Sequence, residues 1–263
     1  MNDTPVILVT GASRGLGADI ARWLGRAGVR VALVARSEAA LADVARSVAA
    51  SGSEALTLPA DVSGREACDR AVEKTLGRFG RLDGLVNNAG VLPPVMSIER
   101  SDPEAWGRNI AVNLLGPYFL IRAAIPALRA AGGRVVNISS GAAVKPIGAW
   151  SAYCAAKAAL THLTAVVAVE EPRIIAVALR PGVIDTEMQA LIRREGPSAM
   201  DPERASYFTK LKEEGGLEPP WVPARSAAWL ALHAPPSLSG RFVEYDDPRV
   251  AAPALAFFGQ SLS

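Results

Sequence analysis

Pro5-Val6-Ile7-Leu8-Val9-Thr10-Gly11-Ala12-Ser13-Arg14-Gly15-Leu16-Gly17 is the stretch on which the fold turns. Residues 5–10 form an apolar, β-branched run without alternation, the pattern of a strand buried on both faces. The glycines stop the run, and a helical pattern carried by Ile20, Leu24 and Ala27 follows. Such a turn brings bare backbone close to a ligand. The helix start behind it offers unpaired N–H groups and positive dipole potential to a phosphate. The spacing is G-x-x-x-G-x-G and not the common dinucleotide fingerprint G-x-G-x-x-G. Gly11, Ser13, Arg14, Gly15, Leu16 and Gly17 are therefore candidate nucleotide-binding positions.

Outward from this turn the same alternation repeats. Apolar runs recur at 30–35, 54–59, 82–86, 133–138, 173–179 and 241–245, with helical patterns near 15–27, 37–51, 64–78, 103–130, 150–169 and 222–233. Strands and helices in this alternation build βαβ units. The expectation is an α/β chain with a doubly wound parallel sheet of about seven strands, helices on both faces, and one domain over residues 1–263. Residues 186–220 depart from the pattern. Short helical pieces there are broken by Gly196-Pro197, Gly215-Gly216 and Pro219-Pro220, which marks them as a candidate substrate lid or loop.

Composition narrows the function classes. Of 263 residues, 28 are basic and 26 acidic, a net charge of +2, which argues against nucleic acid as a partner. The two cysteines, Cys68 and Cys154, form no C-x-x-C, and there is no H-E-x-x-H, so neither a disulfide scaffold nor a metal is expected. No run reaches 18 uncharged apolar residues and the start of the chain lacks a basic leader, so a cytoplasmic chain with no membrane span is expected.

Gly11-Ala12-Ser13-Arg14-Gly15 also satisfies G-x-S-x-G, the pattern of a hydrolase nucleophile elbow. The only histidines, His162 and His233, lie in helical segments, and no earlier strand precedes the turn to supply an oxyanion loop, so the nucleotide reading is preferred. The second strand ends Ala35-Arg36-Ser37, where a fold preferring NAD places an acid for the ribose hydroxyl. Arg36 can instead pair with a 2′-phosphate, with the Ser37 hydroxyl beside it and Arg14 as a second cation. NADP(H) is the expected cofactor.

Tyr153 and Lys157 stand at i and i+4 in a helical segment and share one face. An ammonium beside a phenol favours the phenolate, lowering the tyrosine pKa for proton exchange with a carbonyl or alcohol oxygen. Taken together, Thr10–Gly17, Asn87-Asn88-Ala89-Gly90, Asn113, Ser140, Tyr153/Lys157 and Arg180-Pro181-Gly182 resemble the short-chain dehydrogenase/reductase family in motif, order and spacing, over about residues 5–250. The resemblance implies a Rossmann-type fold. It makes Tyr153 the proton donor in reduction, Lys157 the holder of the nicotinamide ribose, Ser140 a hydrogen-bond partner of the substrate oxygen, and Asn113 the support for a water on the proton path. It further puts Asp61 and Val62 at the adenine, Asn88, Ala89 and Gly90 along the cofactor, and Pro181, Gly182, Val183 and Thr186 at the nicotinamide.

The chain looks most like the sepiapterin reductase and benzil reductase branch, which reduces carbonyls of bulky, often diketone substrates. Glu244 is then the nearest match to a substrate-anchoring acid. Candidate pocket residues are Leu92, Pro93, Ala142, Trp150, Val183, Met188, Leu191, Tyr207 and Phe208, with no evident cation cluster among them. The reading is an NADPH-dependent carbonyl reductase; a secondary alcohol dehydrogenase and a non-catalytic nicotinamide sensor remain open. The resemblance also implies a homodimer or homotetramer, paired through the helices carrying Asn113 and Tyr153.

Overall fold

A computed structural model describes residues 4–262. Strands β1 (Val6–Thr10), β2 (Arg30–Ala35), β3 (Ala55–Pro59), β4 (Gly84–Asn87), β5 (Arg134–Ile138), β6 (Ile175–Arg180) and β7 (Phe242–Glu244) form one sheet in the order β3-β2-β1-β4-β5-β6-β7. Every pairing is parallel, as the unbroken apolar runs require. The order reverses between β1 and β4, and a crevice at the carboxyl ends of the strands beside such a reversal is where ligands bind.

Each strand splits its side chains between two cores. Ile7, Val9, Val31 and Leu33 face one cluster, covered by α1 (Gly15–Arg26), α2 (Glu38–Ala50), α9 (Trp221–His233) and α10 (Pro248–Phe258). Val6, Leu8, Ala32 and Val34 face the other, beneath α3 (Arg65–Phe79), α5 (Gly116–Ala131) and α6 (Ser151–Glu170). The segment expected as one helix over 103–130 is α4 (Pro103–Ile110) running into α5 through a π-helical turn, Ala111–Leu115. This composite helix and α6 are, by length and composition, apolar enough to cross a membrane, more so than the sequence reading allowed. Both contribute residues to the buried cores, and α6 also buries Lys157.

Residues 186–220 supply two helices, α7 (Glu187–Ala199) and α8 (Pro202–Glu213). Their Ile192, Met200, Ala205 and Phe208 do not join the sheet clusters. They form a third core with Leu92, Val95, Ala142, Trp150 and Tyr153. Polar ties fix the ends of this excursion: Lys212 Nζ to Asp185 at 2.6 Å, the backbone bridge Ile184–Glu218, and an ion pair between Arg14 and Glu187.

Candidate active site

The glycine turn is locked to the end of β4. Thr10 Oγ1 accepts from the N–H groups of Asn88 and Ala89, both at 3.0 Å, and Asn88 Nδ2 donates to Thr10 O at 2.9 Å. Gly11 has φ +63°. A Cβ at Gly17 would collide with the Gly11 carbonyl oxygen and the Asn88 amide, so only glycine closes the turn this tightly. The start of α1 carries no side-chain cap and no acid in its first turn, leaving its N–H groups free for an anion.

Four polar residues converge beyond the ends of β4 and β5. Tyr153 is buried on α6, and its hydroxyl is hydrogen-bonded to the Ser140 side chain. Ser140 also caps the short turn after β5, its Oγ accepting from Ala142 N–H at 3.1 Å. Lys157, one turn along α6, donates to Ile138 O at 2.8 Å, with its Nζ 5.6 Å from the Tyr153 ring centroid. Asn113, in the π-helical turn, donates to Val91 O at 2.8 Å and accepts from Val91 N–H at 3.3 Å. Gly90 separates the last two groups: a Cβ there would lie 2.8 Å from Asn113 Oδ1 and 3.7 Å from Lys157 Nζ.

Over this floor lies a cleft of about 270 Å³. One wall is Ser139–Ala142, Ile147, Trp150 and Tyr153; the other is Arg180–Ile184 with the α7 and α8 side chains Met188, Gln189, Tyr207 and Phe208. Trp150 stacks on Phe208 at 5.6 Å and meets Tyr153 edge-on at 5.9 Å.

Residues 5–196 match the family model for short chain dehydrogenases. The chain belongs to that family. Among its short-chain dehydrogenase relatives, a benzil reductase ((S)-benzoin forming) of Saccharomyces cerevisiae is 39% identical over 257 residues, 93% of this chain and 97% of the relative. The crystal structure of the KRED1-Pglu enzyme superposes with a TM-score of 0.87 at 42% identity, covering 91% of this chain and 100% of that one. A short-chain dehydrogenase/reductase of S. cerevisiae superposes with a TM-score of 0.90 at 37% identity, covering 94% and 98%.

In this short-chain dehydrogenase several expected placements change. Burial, not Lys157, dominates the Tyr153 hydroxyl and pushes its pKa up to about 12 against the opposing Ser140 hydrogen bond. Burial also brings the Lys157 ammonium down to about 8. Ser37 caps α2 by accepting from Ala40 N–H at 3.3 Å, so its oxygen is already in use. Arg14 is engaged by Glu187 of α7, whereas Arg36 is exposed and its side chain makes no ion pair among the described residues. Asp61 accepts from the Ser63 N–H and hydroxyl at 3.0 and 2.8 Å. Although partial burial opposes it, these bonds and the charges of Arg108 and Arg36 hold the Asp61 carboxyl below its usual range.

Leu92, Ala142, Trp150, Val183, Met188, Tyr207 and Phe208 do line the cleft, but Pro93 and Leu191 do not. Pro93 turns its carbonyl to Asn109 Nδ2 at 2.8 Å, and Leu191 packs against the third core. Cations line the cleft after all, in Lys145, Arg180 and Arg204. Glu244 is not in the lining; it holds Arg180, Oε1 to Nη1 at 2.6 Å. Sequence reasoning missed Asn109, fully buried and binding the carbonyls of Val91, Leu92 and Pro93. A four-residue spacing from Asn113 on one helix was the available signal.

These shifts make stability depend on pH. The folded pKa of Lys157, about 8 against an ordinary 10.5, means the unfolded chain binds more protons above pH 8, so stability rises there. Cys68, raised by burial from 9.0 to about 12, acts in the opposite sense from pH 9. Ligand-free protein should gain about 1 kcal/mol from pH 8 to 9, then level off. It should lose stability above pH 10, where unfolded tyrosine ionises first. Urea titrations at stepped pH read this directly; a Cys68→Ala variant should keep gaining to pH 10, and a flat profile in both proteins would refute the Lys157 burial effect.

Proposed function

We propose that the chain is an NADPH-dependent carbonyl reductase that converts a ketone or diketone to the alcohol. The observation that carries the reading is Tyr153, a phenol kept protonated by burial and hydrogen-bonded to Ser140 on the floor of the aromatic-walled cleft. A protonated group at that point suits proton donation to a carbonyl oxygen.

The residues fit a nicotinamide dinucleotide. The glycine turn leaves no room for side chains at Gly11 and Gly17, and the α1 N-terminus has free N–H groups for the pyrophosphate. Asn88, Ala89 and Gly90 would continue the cofactor contacts, Asp61 and Val62 would meet the adenine, and Pro181, Gly182, Val183 and Thr186 would meet the nicotinamide. When bound, the reduced nicotinamide supplies hydride to the carbonyl carbon. Ser140 and Tyr153 hold the carbonyl oxygen, and the Tyr153 hydroxyl proton passes to it as the alkoxide forms. Lys157 would hold the nicotinamide ribose, and Asn113, across Gly90 from it, would support the water that resupplies the proton. The lid helices α7 and α8 exclude water from the cleft. The yeast relative named for benzil, a vicinal diketone carrying two phenyl groups, agrees with the Trp150–Phe208 wall. The free thiols Cys68 and Cys154 agree with a reducing, cytosolic setting.

NADPH consumption across a panel of aromatic ketones and diketones, in parallel with NADH, tests the reading. NADPH binding without turnover of any carbonyl would leave a sensor instead. The preference for NADPH rests on Arg36, exposed where the NAD-preferring fold has an acid. Arg36→Asp should weaken NADPH at least tenfold, the loss of a charge-assisted pair, and improve NADH. Fluorescence titration measures both, and unchanged NADPH affinity would overturn the assignment.

A further inference from the structure

Gln189 is 3% exposed, in the first turn of α7, and lines the cleft. Its orientation is fixed chemically. Arg193 Nη1 lies 3.0 Å from Gln189 Oε1, and a guanidinium only donates, so the oxygen faces Arg193 and the amide NH2 faces away. Among the described residues that NH2 has no protein partner, yet it is not a sealed orphan of the interior either. Gln189 lines the cleft, so the cleft is the open space within reach of that NH2. A nearly buried donor at the wall of a binding cavity, with no acceptor on the protein, is complementary to an acceptor on the ligand.

The other donors in the cleft divide the remaining work. Ser140 and Tyr153 converge on one oxygen. Arg180 is neutralised by Glu244, Arg204 lies over the Tyr207 and Phe208 rings, and Lys145 stands exposed at the rim. The one neutral donor left on the opposing wall suits a neutral acceptor and not an anion. In a cavity of about 270 Å³ a ligand that reaches Tyr153 fills the space up to the lid.

We infer that Gln189 is a specificity residue that donates to a second, non-reacting carbonyl oxygen of a neutral substrate, so that dicarbonyls are preferred over monoketones of the same shape. This rests on the carbonyl-reductase reading above. One carbonyl takes the hydride and the Tyr153 proton to become the secondary alcohol. The other stays oxidised in the grip of Gln189, and the product is a hydroxyketone.

Benzil and deoxybenzoin differ only by the second oxygen and form the test pair, assayed by steady-state NADPH oxidation. Gln189→Glu keeps the size of the side chain and its contact with Arg193 but removes the donor. The ratio of kcat/KM for benzil over deoxybenzoin should fall about tenfold in this variant, with deoxybenzoin changed less than twofold. Gln189→Met, which introduces no charge, should lower the ratio as far, and it decides the matter if the glutamate variant is poorly folded. An unchanged ratio, an equal loss on both ketones, or a wild-type preference for the phenylglyoxylate anion over benzil would overturn the inference. If the wild type reduced neither ketone, the carbonyl-reductase reading itself would fall; if it reduced both and the variants kept the ratio, only the role of Gln189 would.

Discussion

Tyr153→Phe is expected to lower turnover at least a thousandfold while leaving NADPH affinity within about twofold. The substitution removes one oxygen from a buried ring and leaves the packing in place. The edge-on contact with Trp150 at 5.9 Å and the third core around it involve the ring alone. Lys157 keeps its bond to Ile138 O, and Ser140 keeps its bond from Ala142. What disappears is the hydroxyl hydrogen-bonded to Ser140 at the cleft floor, and with it the proton for the nascent alkoxide. Steady-state NADPH oxidation and a fluorescence binding titration separate the two effects. Near-normal turnover would refute the assigned donor; lost cofactor binding would show that the hydroxyl serves to hold the cofactor and not to donate a proton.

Gly17→Ala should cost about 3 kcal/mol of stability or more and weaken the cofactor at least tenfold. The added methyl has nowhere to go. Its nearest neighbours are the Gly11 carbonyl oxygen and the Asn88 amide, the first backbone, the second tied to Thr10 O at 2.9 Å. Relief requires opening the turn, which moves the α1 N-terminus away from any phosphate. Gly77→Ala is the control. That glycine lies within α3 with nothing within 4 Å of an added Cβ, and alanine there should stabilise by about 0.5–1 kcal/mol. Urea denaturation of the pair, with cofactor titration of each, distinguishes a special site from a general cost of changing glycine.

How much of this was legible in the sequence depended on the range of the forces involved. The apolar runs of β1 to β6 announced a parallel sheet because burial on both faces leaves no polar register in the strand. The glycine turn and the Tyr153/Lys157 pair were legible because their chemistry is local: a turn and one helical repeat. Helix α10 was not read, since Pro248 and Pro253 look like breakers, yet the first sits at the permitted start of the helix behind the Asp247 cap. The π-helical turn at Ala111–Leu115 leaves no compositional mark. The raised phenol of Tyr153 was misjudged because desolvation belongs to the finished fold, while the Lys157 charge is visible at once as a neighbour in sequence. For the same reason Arg180 could not be paired with Glu244, 64 positions away, nor Gln189 with the cleft.

The separate core beneath α7 and α8 divides labour within the chain. The two clusters that hold the sheet set the melting behaviour, and neither contains a residue from those helices. Met188, Gln189 and Tyr207 can therefore be exchanged in a directed library without drawing on the two sheet clusters, whereas Ile192 and Phe208 share the third core with Trp150 and Tyr153 and must keep their volume. Substrate range in this chain is open to engineering as a replaceable module, with residues 187–213 as its natural cassette.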